Sequence, residues 1–431
     1  MTSHPAALFL IDLSLILAVA RALGAVAVQL RQPPVVGEIL AGILFGPTLF
    51  HGAITQALFP SGVRSVLSSM SSVGVALFMF CVGLEIEHRF LRGRGRLTAG
   101  AALGSTLVPF ALGIPLGLFL LQDRTVGRPV AFLVFIGLSV SVTAFPVLAR
   151  ILSDRGLSRT QVGGIALATA AVVDVVAWSG LAAIQAVCGG GTPWQLALVV
   201  PFVAVLALVV RPLLRRVLAV AGGPVDLTSG RLSVVLVGAL LSGAATELMG
   251  LHYIFGAFLF GLVVPREVAP RVRADISERT GQVTSVLLPV YFVVAGFQVD
   301  LTGVDGSRLL EFAAILLVAV AGKFGGTYLG ARTQGLEPRP ALVLAALMNT
   351  RGLTELIILG VGLQLGLLDG PLYSLMVLMA LVTTAMSGPL LTWMYRRPVE
   401  IGPPAGRPSR EPAADGEASA ELAEDGPRGR A

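Results

Sequence analysis

Long apolar runs recur along the chain, each close to the roughly 20 residues that an α-helix needs to cross the hydrocarbon core of a bilayer. Short segments carrying arginine, proline and glycine separate them. Thirteen runs lie at about 6–30, 35–51, 63–85, 97–121, 129–152, 163–187, 193–214, 231–248, 251–265, 281–299, 309–331, 340–366 and 371–395. From Pro398 the apolar pattern stops, and Pro, Gly, Ala and Glu dominate. The pattern predicts an all-α polytopic membrane protein over 1–397 and a disordered cytoplasmic tail over 398–431.

Composition agrees with this pattern. Hydrophobic residues make up 55% of the chain and charged residues only 13%, against about a quarter charged in a soluble domain, so a soluble globular chain is excluded. The 51 glycines suit membrane helices whose backbones approach closely. Two cysteines and four scattered histidines leave no disulfide framework and no transition-metal motif, and nothing calls for a cofactor. The net charge of +6 is spread along the chain, which excludes a nucleic-acid face. No nucleophile–base motif points to an enzyme. The first apolar run follows no basic segment, so no cleavable signal peptide is expected.

Arginine placement orients the runs. With the N-terminus outside, loops assigned to the cytoplasm hold Arg31, Arg89–Arg96, Arg150–Arg159, Arg211–Arg231, Arg266–Arg279, Arg332 and Arg339. Outside loops hold only Arg64, Arg124, Arg128 and Arg308, as the positive-inside rule requires for a multi-pass protein of the cell membrane with a cytoplasmic C-terminus. Thirteen runs divide as six, one and six, the signature of two inverted six-helix repeats with a linker helix between them. In such folds, equivalent helices broken near mid-membrane form the binding site.

The fifth and twelfth runs carry the breaks. In SVSVTAFPVLAR, Ser139, Ser141 and Thr143 precede Pro146, whose missing N–H frees the carbonyl of Val142. In LMNTRGLTEL, Asn349, Thr350, Arg351, Gly352 and Glu355 interrupt an apolar run. Arg351 and Glu355 are four apart on one helix face and can neutralise each other, a structural charge pair at the break. Glu247 is a further partner for Arg351, or a group reaching the interface.

Two other intramembrane charges stand out. Asp174 lies mid-run in ATAAVVDVVAW, where an ionised carboxylate costs about 2.5–3.5 kcal/mol on insertion scales, so it is read as a proton and cation site. Lys323, in VAGKFGGTYLGAR, is the sole lysine among 31 basic residues. Unlike arginine, a lysine can release its proton when buried, so it is read as a titratable partner or a counter-charge for Asp174.

These motifs, with RQPPVVGEILAGILFGP and LFMFCVGLEIE, resemble the monovalent cation:proton antiporter-2 family, nearest to its Kef-type and plant cation/H+ exchanger branch. The resemblance runs through residues 6–395 in the family's order. It implies a homodimer with a core domain, here about 97–187 and 309–395, in which two discontinuous helices cross. It also implies an interface domain, here about 6–85 and 231–299, and a linker helix at about 193–214. Asp174 matches the family's ion-binding carboxylate and Lys323 its lysine. Val173 stands where members usually carry a second Asp or an Asn, which predicts electroneutral exchange with Lys323 paired to Asp174. Kef-type members add a soluble nucleotide-binding domain, and here only the tail follows.

The function expected is secondary active exchange of Na+ or K+ for H+ by alternating access. The cation is held by Asp174 with oxygens from Ser141, Thr143, Asn349 and Thr350, and Lys323 lies beside it. A proton-coupled exporter of an organic solute on the same scaffold, suggested by Val173, and a passive cation channel are the alternatives.

Overall fold

The computed structural model describes residues 5–30, 32–49, 53, 58–85, 95–157, 160–188, 197–218, 227–265, 270–302 and 305–394. The tail at 398–431, the charged segment at 86–94 and the 189–196 loop lie outside the described residues. Regular structure among the described residues is entirely helical. The first half contains α1 (Pro5–Gln29), α2 (Pro34–Phe45), α3 (Ser61–Glu85), α4 (Gly95–Leu120), α5 (Pro129–Ser141), α6 (Phe145–Asp154) and α7 (Gln161–Cys188). Then come α8 (Val199–Val205), a π-turn (Leu206–Val210) and α9 (Arg211–Leu218). The second half contains α10 (Ser229–Leu248), α11 (Tyr253–Val263), α12 (Pro270–Gly296), α13 (Gly306–Arg332), α14 (Pro338–Met348), α15 (Leu353–Gln364) and α16 (Gly370–Met394).

Each apolar run meets a helix or a helix pair, and the fifth and twelfth runs are the interrupted pairs α5–α6 and α14–α15. Seven single helices among the described residues are long and apolar enough to cross a membrane, and α14–α15 adds a broken span bent by 46°. The other apolar helices are shorter, or are charged at one end as α12 is. An α-helix satisfies its own backbone in hydrocarbon, so interruptions are tolerated only where other groups bond the freed ends. Both interruptions are buried within the protein.

Two bundles of helices are visible. In one, α4 lies along α13, and α5, α7, α14, α15 and α16 pack about them. In the other, α12 packs on α1, α2 and α3, while α11 packs on α3 and α10. The α4–α13 contact is backbone against backbone: a Cβ on Gly104 would stand 2.1 Å from the Gly326 carbonyl oxygen, and the reverse is equally true. Hydrogen bonds also join the bundles, from the Tyr373 hydroxyl to the Ala295 carbonyl (3.2 Å) and from the Asp300 N–H to the Ser374 hydroxyl (2.9 Å).

At one end of the first bundle, Arg124 grips Glu311 with two hydrogen bonds of 2.7 and 2.8 Å and meets Asp369 at 3.1 Å. This ties the end of α4 to the starts of α13 and α16. The two carboxylates hold the Arg124 guanidinium above its ordinary pKa.

Three boundaries differ from the sequence expectation. The α12 helix begins at Pro270, eleven residues before the apolar run. Its added turns are amphipathic: Val272, Ile276 and Thr280 recur at i+4 and are buried, the first two against Leu84, Leu214, Leu218 and Val264, while Arg271 and Glu278 are exposed and Arg273 donates to the Leu84 carbonyl. The seventh run extends to Leu218 by the same logic, with Leu214 and Leu218 buried and Arg215 and Arg216 exposed. Pro146 does not kink a continuous helix. It is the second residue of α6, where an N–H would have no intrahelical acceptor in any case.

Candidate functional site at the crossed breaks

The two interruptions touch. The Thr143 hydroxyl donates to the Met348 carbonyl (2.9 Å), and the Ala144 N–H donates to the Thr350 carbonyl (3.1 Å). The end of α14 is thus satisfied by neutral groups from the other break. Val142 is extended (φ −71°, ψ 149°), which turns the chain out of α5 and lets α6 begin on a new axis.

The end of α5 is satisfied by cations instead. Arg351 donates to the carbonyls of Ser139 (2.9 Å) and Val140 (2.6 Å), and Lys323 donates to that of Ser141. Unpaired carbonyls at a helix C-terminus carry partial negative charge, so cations are the fitting partners. Arg351 also pairs with Glu355 at 2.6 Å, both side chains being fully buried. The main chain of Arg351 is fixed by Thr384, whose hydroxyl donates to its carbonyl at 2.8 Å.

Asp174 is 1% exposed on α7, beside the Phe145 N–H that opens α6, and neither carboxylate oxygen has a hydrogen bond of normal geometry. The Asn349 amide, the Ser139 hydroxyl and the Thr169 hydroxyl are likewise buried without hydrogen-bond partners. A buried carboxylate left open in this way has the capacity to bind a proton, or to exchange it for a small cation when ionised.

Hydrogen bonds orient several of the expected site residues. The Ser141 hydroxyl donates back to Gly137 and Leu138, that of Thr350 to Leu347, and that of Thr143 across to Met348, so their protons go to the backbone while each oxygen keeps its lone pairs. The expected Lys323–Asp174 ion pair is not formed, because the ammonium is occupied by Ser105 and by the Ser141 carbonyl. Glu247 does not reach Arg351. Its carboxylate accepts the Tyr253 N–H at 2.7 Å, capping the start of α11. Ser105 and Thr384 do not stand out in the sequence, although a serine four residues before Pro109 is a readable signal for the first.

A buried open carboxylate beside one of two touching helix breaks, in an all-helical bundle rich in apolar spans, defines a multi-pass membrane transporter. Residues 14–397 match the family described as sodium/hydrogen exchanger, transmembrane, and the chain belongs to that family. It is 35% identical to the Na(+)/H(+) antiporter NhaS4 of Synechocystis over 92% of this chain and all of that one. It is 36% identical to cation/H(+) antiporter 20 of Arabidopsis thaliana over 90% of this chain and 48% of that one. It is 32% identical to K(+)/H(+) antiporter 1 of Saccharomyces cerevisiae over 91% of this chain and 47% of that one. The chain therefore spans the whole Synechocystis relative and about half of the plant and yeast ones. The fold is similar to that of the sodium proton antiporter MjNhaP1 from Methanocaldococcus jannaschii, with a TM-score of 0.66 at 16% identity over 89% of this chain and 96% of that one.

Proposed function

We propose that the protein is a secondary active antiporter that exchanges a monovalent cation, Na+ or K+, for H+. The observation that carries this reading is Asp174, buried, open at both oxygens and set beside the break between α5 and α6, which touches the second break. In the cycle, H+ and the cation occupy the carboxylate in turn, and the site opens alternately to each side of the membrane. The Asn349 amide and the Ser139 hydroxyl, buried without hydrogen-bond partners, are the candidate further ligands. Arg351, Glu355 and Lys323 keep the breaks neutralised while Asp174 changes state. Relatives named Na(+)/H(+) and K(+)/H(+) antiporters support the reaction.

The two bundles are the moving parts: α4–α7 with α13–α16 as the core, α1–α3 with α10–α12 as the interface through which two copies pair. In this reading the chain crosses the cell membrane thirteen times, and its arginine-rich loops favour the N-terminus outside and the C-terminus in the cytoplasm.

The experiment is reconstitution into liposomes with a pH-sensitive dye inside. A cation gradient is expected to drive proton flux in the wild type and none in Asp174→Asn. Flux retained by that variant would remove Asp174 from the reaction. Labelling from outside of a cysteine placed at Arg96 would overturn the topology.

A further inference from the structure

Pro109 lies inside α4 and has no N–H for the carbonyl four residues back, which belongs to Ser105. The α13 backbone comes close at this point because Gly322 packs on Pro109: a Cβ on Gly322 would stand 2.8 Å from the Pro109 Cα. The next residue is Lys323. Its ammonium donates to the Ser105 carbonyl (2.9 Å), to the Ser105 hydroxyl (3.0 Å) and to the Ser141 carbonyl. An ammonium has three N–H groups, and each has an acceptor here. The same construction recurs in α12, where Pro289 frees the Ser285 carbonyl and Arg21 donates to it at 2.8 Å.

We propose that Ser105 is a positioning residue for exchange: with the carbonyl that Pro109 frees, it holds the Lys323 ammonium at the end of α5, leaving the Asp174 carboxylate to H+ and the cation alone. This deepens the antiport reading and rests on it. The charged groups within electrostatic range of Lys323 are Asp174 on α7 and, at the second break, Arg351 and Glu355. Glu355 is already held by Arg351. An ammonium released from its socket therefore turns to Asp174. Paired there, it stabilises the carboxylate against protonation and opposes the entering cation.

The test compares the wild type with Ser105→Ala, Ser105→Thr and Pro109→Ala. Ser105→Ala removes the hydroxyl acceptor, Ser105→Thr keeps it, and Pro109→Ala gives the Ser105 carbonyl a helical donor that competes with Lys323. In reconstituted exchange, Ser105→Ala and Pro109→Ala are expected to raise the cation KM several-fold with kcat little changed, and to move the pH profile to lower pH. Ser105→Thr is expected to restore both. Because Lys323 is the sole lysine, selective 13C-lysine labelling gives one signal that reports its surroundings whether or not transport occurs. That signal is expected to move in Ser105→Ala and Pro109→Ala and to return in Ser105→Thr. An unmoved lysine signal would overturn the proposal, as would an unmoved KM and pH profile beside a moved signal. Absence of cation-driven flux in the wild type would instead overturn the antiport reading, and the signal would still report on the socket.

Discussion

Arg351, at the break between α14 and α15, donates to the Ser139 carbonyl at 2.9 Å, in the last turn of the helix that ends at the other break. One side chain thus closes a helix that belongs to the opposite half of the core. It does so while paired with its own neighbour Glu355 at 2.6 Å, so removing it affects both halves together.

Arg351→Ala is expected to destabilise the protein by about 3–5 kcal/mol, because it leaves the Glu355 carboxylate buried and unpaired. Arg351→Lys is expected to restore only part of this, since an ammonium lacks the planar fork that spans two carbonyls and a carboxylate. Adding Glu355→Gln to Arg351→Ala is expected to recover stability by removing the orphaned charge. Thermal unfolding of the detergent-purified protein, followed by size-exclusion chromatography, measures all three. Equal losses in the single and double variants would contradict the account.

Asp174→Asn, by contrast, is expected to keep its unfolding temperature or raise it. The neutral amide removes the cost of an ionised group in a buried site, and the carboxylate accepts no hydrogen bond of normal geometry that the change would lose. The same melting experiment checks this, and a marked loss of stability would show that the carboxylate is structural.

The α4–α13 contact offers a paired comparison. Gly326→Ala places a methyl 2.1 Å from the Gly104 carbonyl oxygen, and overpacking of this kind costs about 1–3 kcal/mol or more. The adjacent Gly325 has nothing within 4 Å of a built Cβ, so Gly325→Ala is expected to be neutral or to gain up to about 1 kcal/mol in helix propensity. Similar melting temperatures for the two variants would refute the close approach.

Glu311→Gln is expected to cost about 1.5–3 kcal/mol, the range for hydrogen bonds to charged groups. The Arg124–Glu311 pair is only 11% and 10% exposed, so added salt is expected to change this loss little. Proteolysis at the 121–128 loop, compared in low and high salt, reads the effect.

A pH dependence is expected at the start of α13. The Asp305 carboxyl accepts the Arg308 N–H at 3.0 Å and the Ser307 hydroxyl at 2.8 Å, and these bonds hold its pKa below the ordinary 3.8. Its contribution is complete above the ordinary value and is lost as pH falls through the lower, folded one. Asp305→Ala is expected to speed amide exchange at Arg308 near neutral pH, and Asp305→Asn to preserve protection.

The sequence makes the helices and both breaks readable, because apolar length and polar interruption are local signals. Asp174, Lys323, Arg351 and Glu355 stand out for a related reason: charge inside an apolar run is rare. Hydrogen-bond direction is harder to read. Whether the Ser141 hydroxyl turns outward or back to Gly137 depends on which group across the break takes its carbonyl, and that group, Lys323, is 182 residues away. Opposite charges in one core suggest a Lys323–Asp174 pair, but the acceptor that Pro109 leaves at Ser105 competes for the ammonium and takes it. The start of α12 reads as a loop when its charges are weighted above the i+4 spacing of Val272, Ile276 and Thr280, and the burial of those three residues decides for the helix.

The bonds from Tyr373 to Ala295 and from Asp300 to Ser374 stitch α16 to the end of α12. If the two bundles slide past one another during exchange, these stitches cannot survive the stroke. The conformer described here is then one end-stop of the travel, with that seam shut, and the energy to break both hydrogen bonds belongs to the barrier that separates it from the opposite stop. Cation-bound and proton-bound carriers would both cross that barrier for every ion moved, so the seam would add to its height without touching either ion.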